Sequence, residues 1–372
     1  MNRFTRRATL GAAAITLATP RIAMSQTTAL KVMVFPGVGN LPLFVGQSQG
    51  FFARRGLAVE VLNTPNSTEL RNGLAEGRHQ LVVAGVDNAV AMAEAGHDIG
   101  ILMGGDSGFN SFHVKPEIRD WADMRGRTLI VDAPDTAFAL VAYKMLALNG
   151  VPRGSYTIRP TGGTFARYEL MLRDPEAHGS MLNLPFSLQA EDQGIRKLAD
   201  ATDVVGPYLG FAGWGMRAWT RANADVVTRY LAAYVESIRW MLNPANANAA
   251  AALLTERLRL APAMAQRNLA IVTNPRGGAA VDGRVDMEGF RNVLRIRAEM
   301  LGTRGGTPPA PDRYLDLGHW ERAVASLSGR DRREGLCPSR ALPARRLSLL
   351  DLDQFWVGEG GGSARPSSPM RR

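Results

Sequence analysis

Cysteine is nearly missing from this chain. Cys337 is the only one in 372 residues, which excludes an intrachain disulfide and any multi-cysteine metal or cluster site. Histidine is also scarce. His79, His97, His113, His178 and His319 have no partners at metal-ligand spacing. Nucleotide signatures are incomplete. Gly37-Val38-Gly39 has no third glycine at the dinucleotide spacing, and Gly104-Gly105-Asp106-Ser107-Gly108 lacks the Lys-Ser/Thr pair of a phosphate loop. No nucleophile elbow frames a serine, although Ser, His and Asp all occur. One-sided charge is missing from the body of the chain. Of the net +10, Arg3, Arg6, Arg7 and Arg21 carry +4, and nine arginines against five acids after Ala325 carry another +4. A nearly neutral remainder with dispersed arginines argues against nucleic-acid binding, which concentrates charge on one face. Neither a cofactor nor a metal is expected. Core burial alone must hold the fold, and a 45% apolar chain of this length can build two ordinary domains.

The two ends differ from the middle. Thr5-Arg6-Arg7-Ala8-Thr9-Leu10 is a twin-arginine pattern, followed by a mildly apolar stretch from Leu10 to Ala18 and small residues at Ala23-Met24-Ser25. That stretch falls well short of the roughly 20 residues a membrane span needs. Residues 1–25 therefore read as a signal peptide for twin-arginine export, with a mature chain from Gln26 destined for the periplasm. Residues 326–372 are rich in Arg, Ser, Pro and Gly, with no sustained period of 2 or 3.6. A disordered basic tail is expected there, either an interaction segment or, the favoured reading, a non-essential extension.

What the chain does have is a repeated plan. Leu30–Phe35, Leu57–Leu62, Leu81–Ala84 and Thr128–Val131 are short apolar runs, each followed by a loop and an apolar-periodic helix. Such units imply an α/β fold with parallel sheets, whose ligands bind beyond the carboxyl ends of the strands at helix N-termini. Further strands are expected at Ile99–Met103, Tyr156–Pro160 and His178–Leu184. Val204–Trp214 is glycine-rich and reads as an extended crossing. Helical patterns follow at Asn223–Leu242, Ala245–Leu258, Ala261–Ile271, Met287–Leu301 and Pro311–Ala325. Two α/β lobes with a helical return imply a hinge and a cleft. The boundaries read as 26–112 for the first part of lobe I, 113–211 for lobe II and 212–325 for the return.

Candidate ligand residues lie in the loops. Asp135 or Thr136 can cap a helix after the stiff Asp132-Ala133-Pro134 turn, leaving N–H groups to face a cleft. Gly163 and Thr164 repeat the idea, with Arg167 one turn on, directed either at an anionic ligand or at solvent. Asn66, Ser67, Asp87 and Asn88 are open to the same two readings. Asn183 follows a strand and can hydrogen-bond a ligand. Trp214 either stacks on one or packs the hinge, and His113 is the histidine placed nearest the cleft.

Leu41-Pro42-Leu43-Phe44, continuing to Gln49-Gly50-Phe51-Phe52, with Leu57–Val61, Asn66–Leu70 and Arg125–Asp132, resembles the solute-binding proteins of ABC transporters for nitrate, sulfonate, taurine and thiamine precursors. The resemblance runs from about Leu30 to Ala325. It implies a type II periplasmic binding architecture: two α/β lobes with a hinge and a helical C-terminal return. The implied role is capture of a small organic solute, either an anion such as a sulfonate or an aromatic acid, or a pyrimidine or neutral amide, by a monomer that presents it to an inner-membrane ABC permease. By position, ligand contacts would come from Gly39-Asn40, Asn66-Ser67, Asp87-Asn88, Asp135-Thr136 and Gly163-Thr164. Members that make the thiamine pyrimidine use a cysteine-rich metal motif, so near absence of cysteine counts against that branch. The alternatives to transport are a periplasmic enzyme on the same scaffold and a solute sensor that docks to a receptor.

Overall fold

The chain is described here by a computed structural model covering residues 27–334. Ten strands run through it: β1 (Thr28–Val34), β2 (Leu57–Asn63), β3 (Leu81–Gly85), β4 (Ile99–Gly104), β5 (Ser111–Val114), β6 (Thr128–Val131), β7 (Thr157–Pro160), β8 (Gly179–Leu182), β9 (Arg196–Asp200) and β10 (Phe211–Met216). They form two five-stranded sheets, ordered β2-β1-β3-β10-β4 and β7-β6-β8-β5-β9. In each sheet three strands are parallel, β1 with β2 and β3, and β6 with β7 and β8. Every residue of β3 and β4 is buried, as expected of strands covered by helices on both faces. Both sheets belong to one compact unit that ends at Asp331.

Three strands come from segments that carry little apolar pattern. Phe211–Met216 is not a loose crossing. It is a strand inserted antiparallel between β3 and β4, with Trp214 opposite Val82 and Ile101. Ser111–Val114 is short and lies antiparallel between β8 and β9. Arg196–Asp200 is an edge strand, and its charged residues suit a position where one side has no further partner.

The chain passes between the sheets twice, at residues 105–110 and 206–210. The two passages touch: the Asp106 carbonyl accepts the N–H of Gly210 at 2.8 Å and of Phe211 at 3.1 Å. A Cβ on Gly210 would lie 2.3 Å from the backbone of Ser107 and Gly108, so only glycine permits the contact. This junction is where the chain links the two sheets.

Helices cover the first sheet after the return. In Ala224–Leu242, Val227, Leu231, Tyr234, Val235 and Ile238 form the buried stripe, and Phe52 stacks on Tyr230 with ring centroids 5.6 Å apart. Met287–Leu301 packs against both Val86–Glu94 and Ala137–Leu148, so it touches helices of both sheets. The last helix is Gly318–Glu334, which corrects the expectation that order ends at Ala325. Leu327 is 5% exposed, and the Ser326 hydroxyl donates to the Ala323 carbonyl, so burial and a local bond carry the helix on. The expected leader, and the tail beyond Glu334, lie outside the described residues. Among the described residues no helix is long and apolar enough to cross a membrane.

Candidate interlobe ligand site

A cavity lies between the two sheets, where the carboxyl ends of their parallel strands face each other. With the lobes in contact its free volume is only about 40 Å³, so a solute of more than a few atoms enters as they part. From the first sheet come Phe35 after β1, Ser67 after β2, Gly85 and Asn88 after β3, and Phe211 at the start of β10. From the second come Asp132, Thr136 and Phe138 after β6, Gly163, Thr164 and Arg167 after β7, and Asn183 after β8.

Arg167 is the dominant charge. It is 4% exposed, yet among the described residues every partner of its guanidinium is neutral. Nε donates to Ser180 Oγ at 3.1 Å, Nη1 to the Gly162 carbonyl at 2.7 Å, and Nη2 to Thr164 Oγ1 and the Met181 carbonyl at 3.1 Å each. Burial pushes its pKa down to about 10, opposed by the charge of Asp132. It therefore stays protonated at neutral pH. It also sits in the first turn of Thr164–Arg173, where the helix dipole disfavours a cation. Among the described residues it has no carboxylate in ion-pair contact, only the field of Asp132 nearby. A buried cation so placed, with an adverse dipole, is costly, and an anion in the cavity would relieve both.

Two helices aim their N-termini into the same space. Thr136 caps Ala137–Leu148 and Gly163 caps Thr164–Arg173, and neither cap residue gives its helix a side-chain bond. The first N–H groups of both helices are left for another acceptor. Among the described residues, Asn88 and Asn183 each hold a buried amide oxygen without a hydrogen-bond partner. A ligand with N–H or O–H donors would satisfy them.

The cleft is closed. The Ser67 hydroxyl donates to Asp132 Oδ2 at 2.5 Å and the Ser67 N–H to the same oxygen at 3.2 Å, from one sheet's loop to the other's. The Gly163 N–H donates to the Pro65 carbonyl at 3.0 Å. A Cβ on Gly163 would lie 2.9 Å from that carbonyl oxygen, so glycine is what allows the approach. Asp132 thus occupies the N-terminus of Ser67–Ala75, the helix end the first lobe would otherwise offer a ligand.

Of the residues singled out from the sequence, Ser67, Asn88, Thr136, Gly163, Thr164, Arg167 and Asn183 line this cavity. The others do not. Asn66 caps its helix, accepting the Glu69 N–H at 2.8 Å. Asn40 is buried, its side-chain amide donating to the Phe35 carbonyl, and with Gly39 it supports the first loop from behind. Asp87 corrects its expectation: it is spent on Arg297 at 2.9 Å. Asp135 is half exposed and stands 3.8 Å from Arg71. Trp214 is also corrected: it is fully buried in the first sheet's core, where strand pairing and packing leave it no path to a ligand. His113 is buried in β5 and reaches Glu191 at 3.1 Å. Asp132 and the rings of Phe35, Phe138 and Phe211 line the cavity without having been singled out. Their signal was position, since Phe35 ends an apolar run and Asp132 opens the turn that Thr136 closes. Among the described residues no cluster of His, Cys, Asp or Glu could hold a metal ion.

Two α/β lobes closing on a cavity at their strand ends, joined by paired crossings, make this a periplasmic-binding-protein fold. The NMT1/THI5-like family model matches residues 39–247, more than half of the chain, and the chain belongs to that family. No curated protein matches it in sequence. Its structure is similar to the periplasmic nitrate-binding protein NrtA of Synechocystis PCC 6803, with TM-score 0.67 and 15% identity over 84% of this chain and 92% of that one. It is also similar to the alkanesulfonate-binding protein SsuA of Xanthomonas axonopodis pv. citri bound to MOPS, with TM-score 0.61 and 16% identity over 78% and 97%. The desulfurization enzyme DSZB shares the fold at TM-score 0.54 and 14% identity over 80% and 99%.

Proposed function

We propose that this protein is the solute-binding component of an ABC importer, working as a monomer in the periplasm after twin-arginine export. It closes two lobes on a small organic anion and presents it to an inner-membrane permease. The observation that carries this reading is Arg167, a buried cation facing the cleft with only neutral partners. A solute held between the lobes contacts both and favours the closed form by its differential affinity. The similarity to nitrate- and alkanesulfonate-binding proteins supports the same role. The cavity offers less to an enzyme. Ser67 bonds to Asp132, but that bond is spent joining the two lobes, and no histidine or cysteine stands beside it among the lining residues to complete a nucleophile–base–orienter set.

Mass spectrometry of the native protein from a periplasmic extract tests this. A small organic anion retained one to one, and released on unfolding, is expected. A neutral or cationic retained molecule would overturn the anion assignment. Turnover of the retained molecule by the purified protein would overturn the transport role. Export is tested separately: replacing Arg6 and Arg7 by lysine should leave precursor in the cytoplasm, and unchanged periplasmic yield would rule the route out.

A further inference from the structure

We propose that the solute is a single aromatic ring bearing one anionic group, and that Asp132 holds it to that one charge. The inference rests on the reading that the interlobe cavity holds a solute, and it names that solute's class.

The walls are the first argument. Phe35 and Phe211 enter from one lobe and Phe138 from the other. Phe138 and Phe211 meet edge to face, with ring centroids 6.2 Å apart. A small inorganic anion would leave these rings facing water or empty space. A flat ring admitted as the lobes part would lie between these walls and gain apolar burial and edge-to-face contact with them.

The charges are the second argument. Arg167 lacks a counter-ion within ion-pair reach, and four of its N–H groups are already committed. The remaining N–H, with the free N–H groups at the start of its helix, can take one anionic group. Asp132 lies in the same cavity and is fixed there by the Ser67 hydroxyl and N–H. A second negative group on the solute would share a partly desolvated space with that carboxylate, and like charges so placed repel strongly. A neutral donor at the far end meets no such penalty. It would instead find the unpartnered oxygens of Asn88 and Asn183.

Calorimetric titration of the solute-free mature protein with four probes tests the proposal. Benzoate and 4-carbamoylbenzoate are expected to bind. Terephthalate, which matches the second probe in shape but carries a second charge, should bind at least tenfold more weakly than it. Methanesulfonate, an anion without a ring, should bind at least tenfold more weakly than benzoate. Asp132→Asn should bring terephthalate to within about threefold of 4-carbamoylbenzoate, and Phe138→Leu should weaken benzoate more than methanesulfonate. Equal binding of methanesulfonate and benzoate overturns the ring. An unchanged terephthalate ratio in Asp132→Asn overturns the role of Asp132. Failure of all four probes overturns the proposed class. A non-aromatic anion found by mass spectrometry would do the same while leaving the transport reading in place.

Discussion

Two buried arginines in this protein live in opposite circumstances. Arg297 is 6% exposed and donates to Asp87 at 2.9 Å and Glu94 at 2.7 Å. Burial lowers its pKa, but the two carboxylates outweigh burial and leave it raised. Arg167 is equally buried, has no carboxylate in ion-pair contact among the described residues and feels Asp132 only at a distance, and burial brings its pKa down to about 10. The first arginine is finished as the fold forms. It ties the Val86–Glu94 helix to Met287–Leu301 and reaches the Asp135 carbonyl at 3.3 Å on the other lobe. The second is left incomplete, and it faces the cavity. Burial of a charge therefore does not by itself mark a site, and absence of an internal counter-ion is the better sign.

Removing each arginine should separate stability from binding. Arg297→Met leaves Asp87 buried without its main partner, and burial already holds that carboxyl up at about 6 despite the arginine. Breaking such a pair costs about 3–5 kcal/mol of stability. Urea denaturation should show it, and a loss under about 1 kcal/mol would mean the network is not what holds these helices. Arg167→Met should leave the unliganded protein far less disturbed, because no carboxylate is stranded. Its effect should appear in solute affinity instead, at about 2–5 kcal/mol for a desolvated charged contact. Matching stability losses in the two variants, with affinity unchanged in Arg167→Met, would collapse the comparison.

The same contrast shows what could be read from the sequence. The parallel units were legible because their strands are continuous apolar runs followed by polar loops, as in Leu81–Gly85. The NMT1/THI5-like match and the fold agree with the motif around Leu41–Phe52. Strand β9 was not legible, since an edge strand of Arg196-Lys197-Leu198-Ala199-Asp200 has the composition of a loop. Strand β10 looked like a crossing because Gly213 and Gly215 break its pattern. At the site, loops could be chosen but not side-chain directions. Asp87 and Asn88 are neighbours, yet one turns to an arginine 210 residues away and the other lines the cavity. Which of two adjacent helical residues faces the cleft depends on the helix's rotation, and Met287–Leu301 sets that only once the fold is complete.

A third buried base sharpens the comparison from the pH side. His79 is 1% exposed, and burial, helped by the nearby Arg78 charge, lowers its pKa to about 4 from 6.5. The folded state therefore refuses a proton that the unfolded state accepts. Its contribution is intact above pH 6.5 and is lost as pH falls toward 4. Raised carboxyls such as Asp87 act in the opposite sense over part of that range, so the effect must be read by difference. The stability of wild type minus that of His79→Leu should fall by about 2 kcal/mol between pH 7 and pH 5. A difference that stays flat would mean His79 takes up its proton as readily when folded as when unfolded, and joins Arg167 and Arg297 as a buried cation at low pH.

The smallest expected effect distinguishes how two threonines at helix N-termini serve Arg167. Thr164 Oγ1 accepts from Arg167 Nη2 at 3.1 Å, so Thr164→Ala frees one guanidinium N–H and loosens its aim. Thr136 Oγ1 donates to the Ala133 carbonyl at 2.8 Å and touches no charge, so Thr136→Ala disturbs only the turn that carries the helix N-terminus. Each should weaken solute binding by about 0.5–1.5 kcal/mol, the value of one neutral hydrogen bond. They should differ when combined with Arg167→Met. The Thr164 effect acts through the arginine and should vanish in the double variant, whereas the Thr136 effect should persist and add. Calorimetry on the two double-mutant cycles reads this directly. Additivity in both cycles would show that Thr164 meets the solute on its own account, and that the incomplete arginine is not oriented by its hydroxyl.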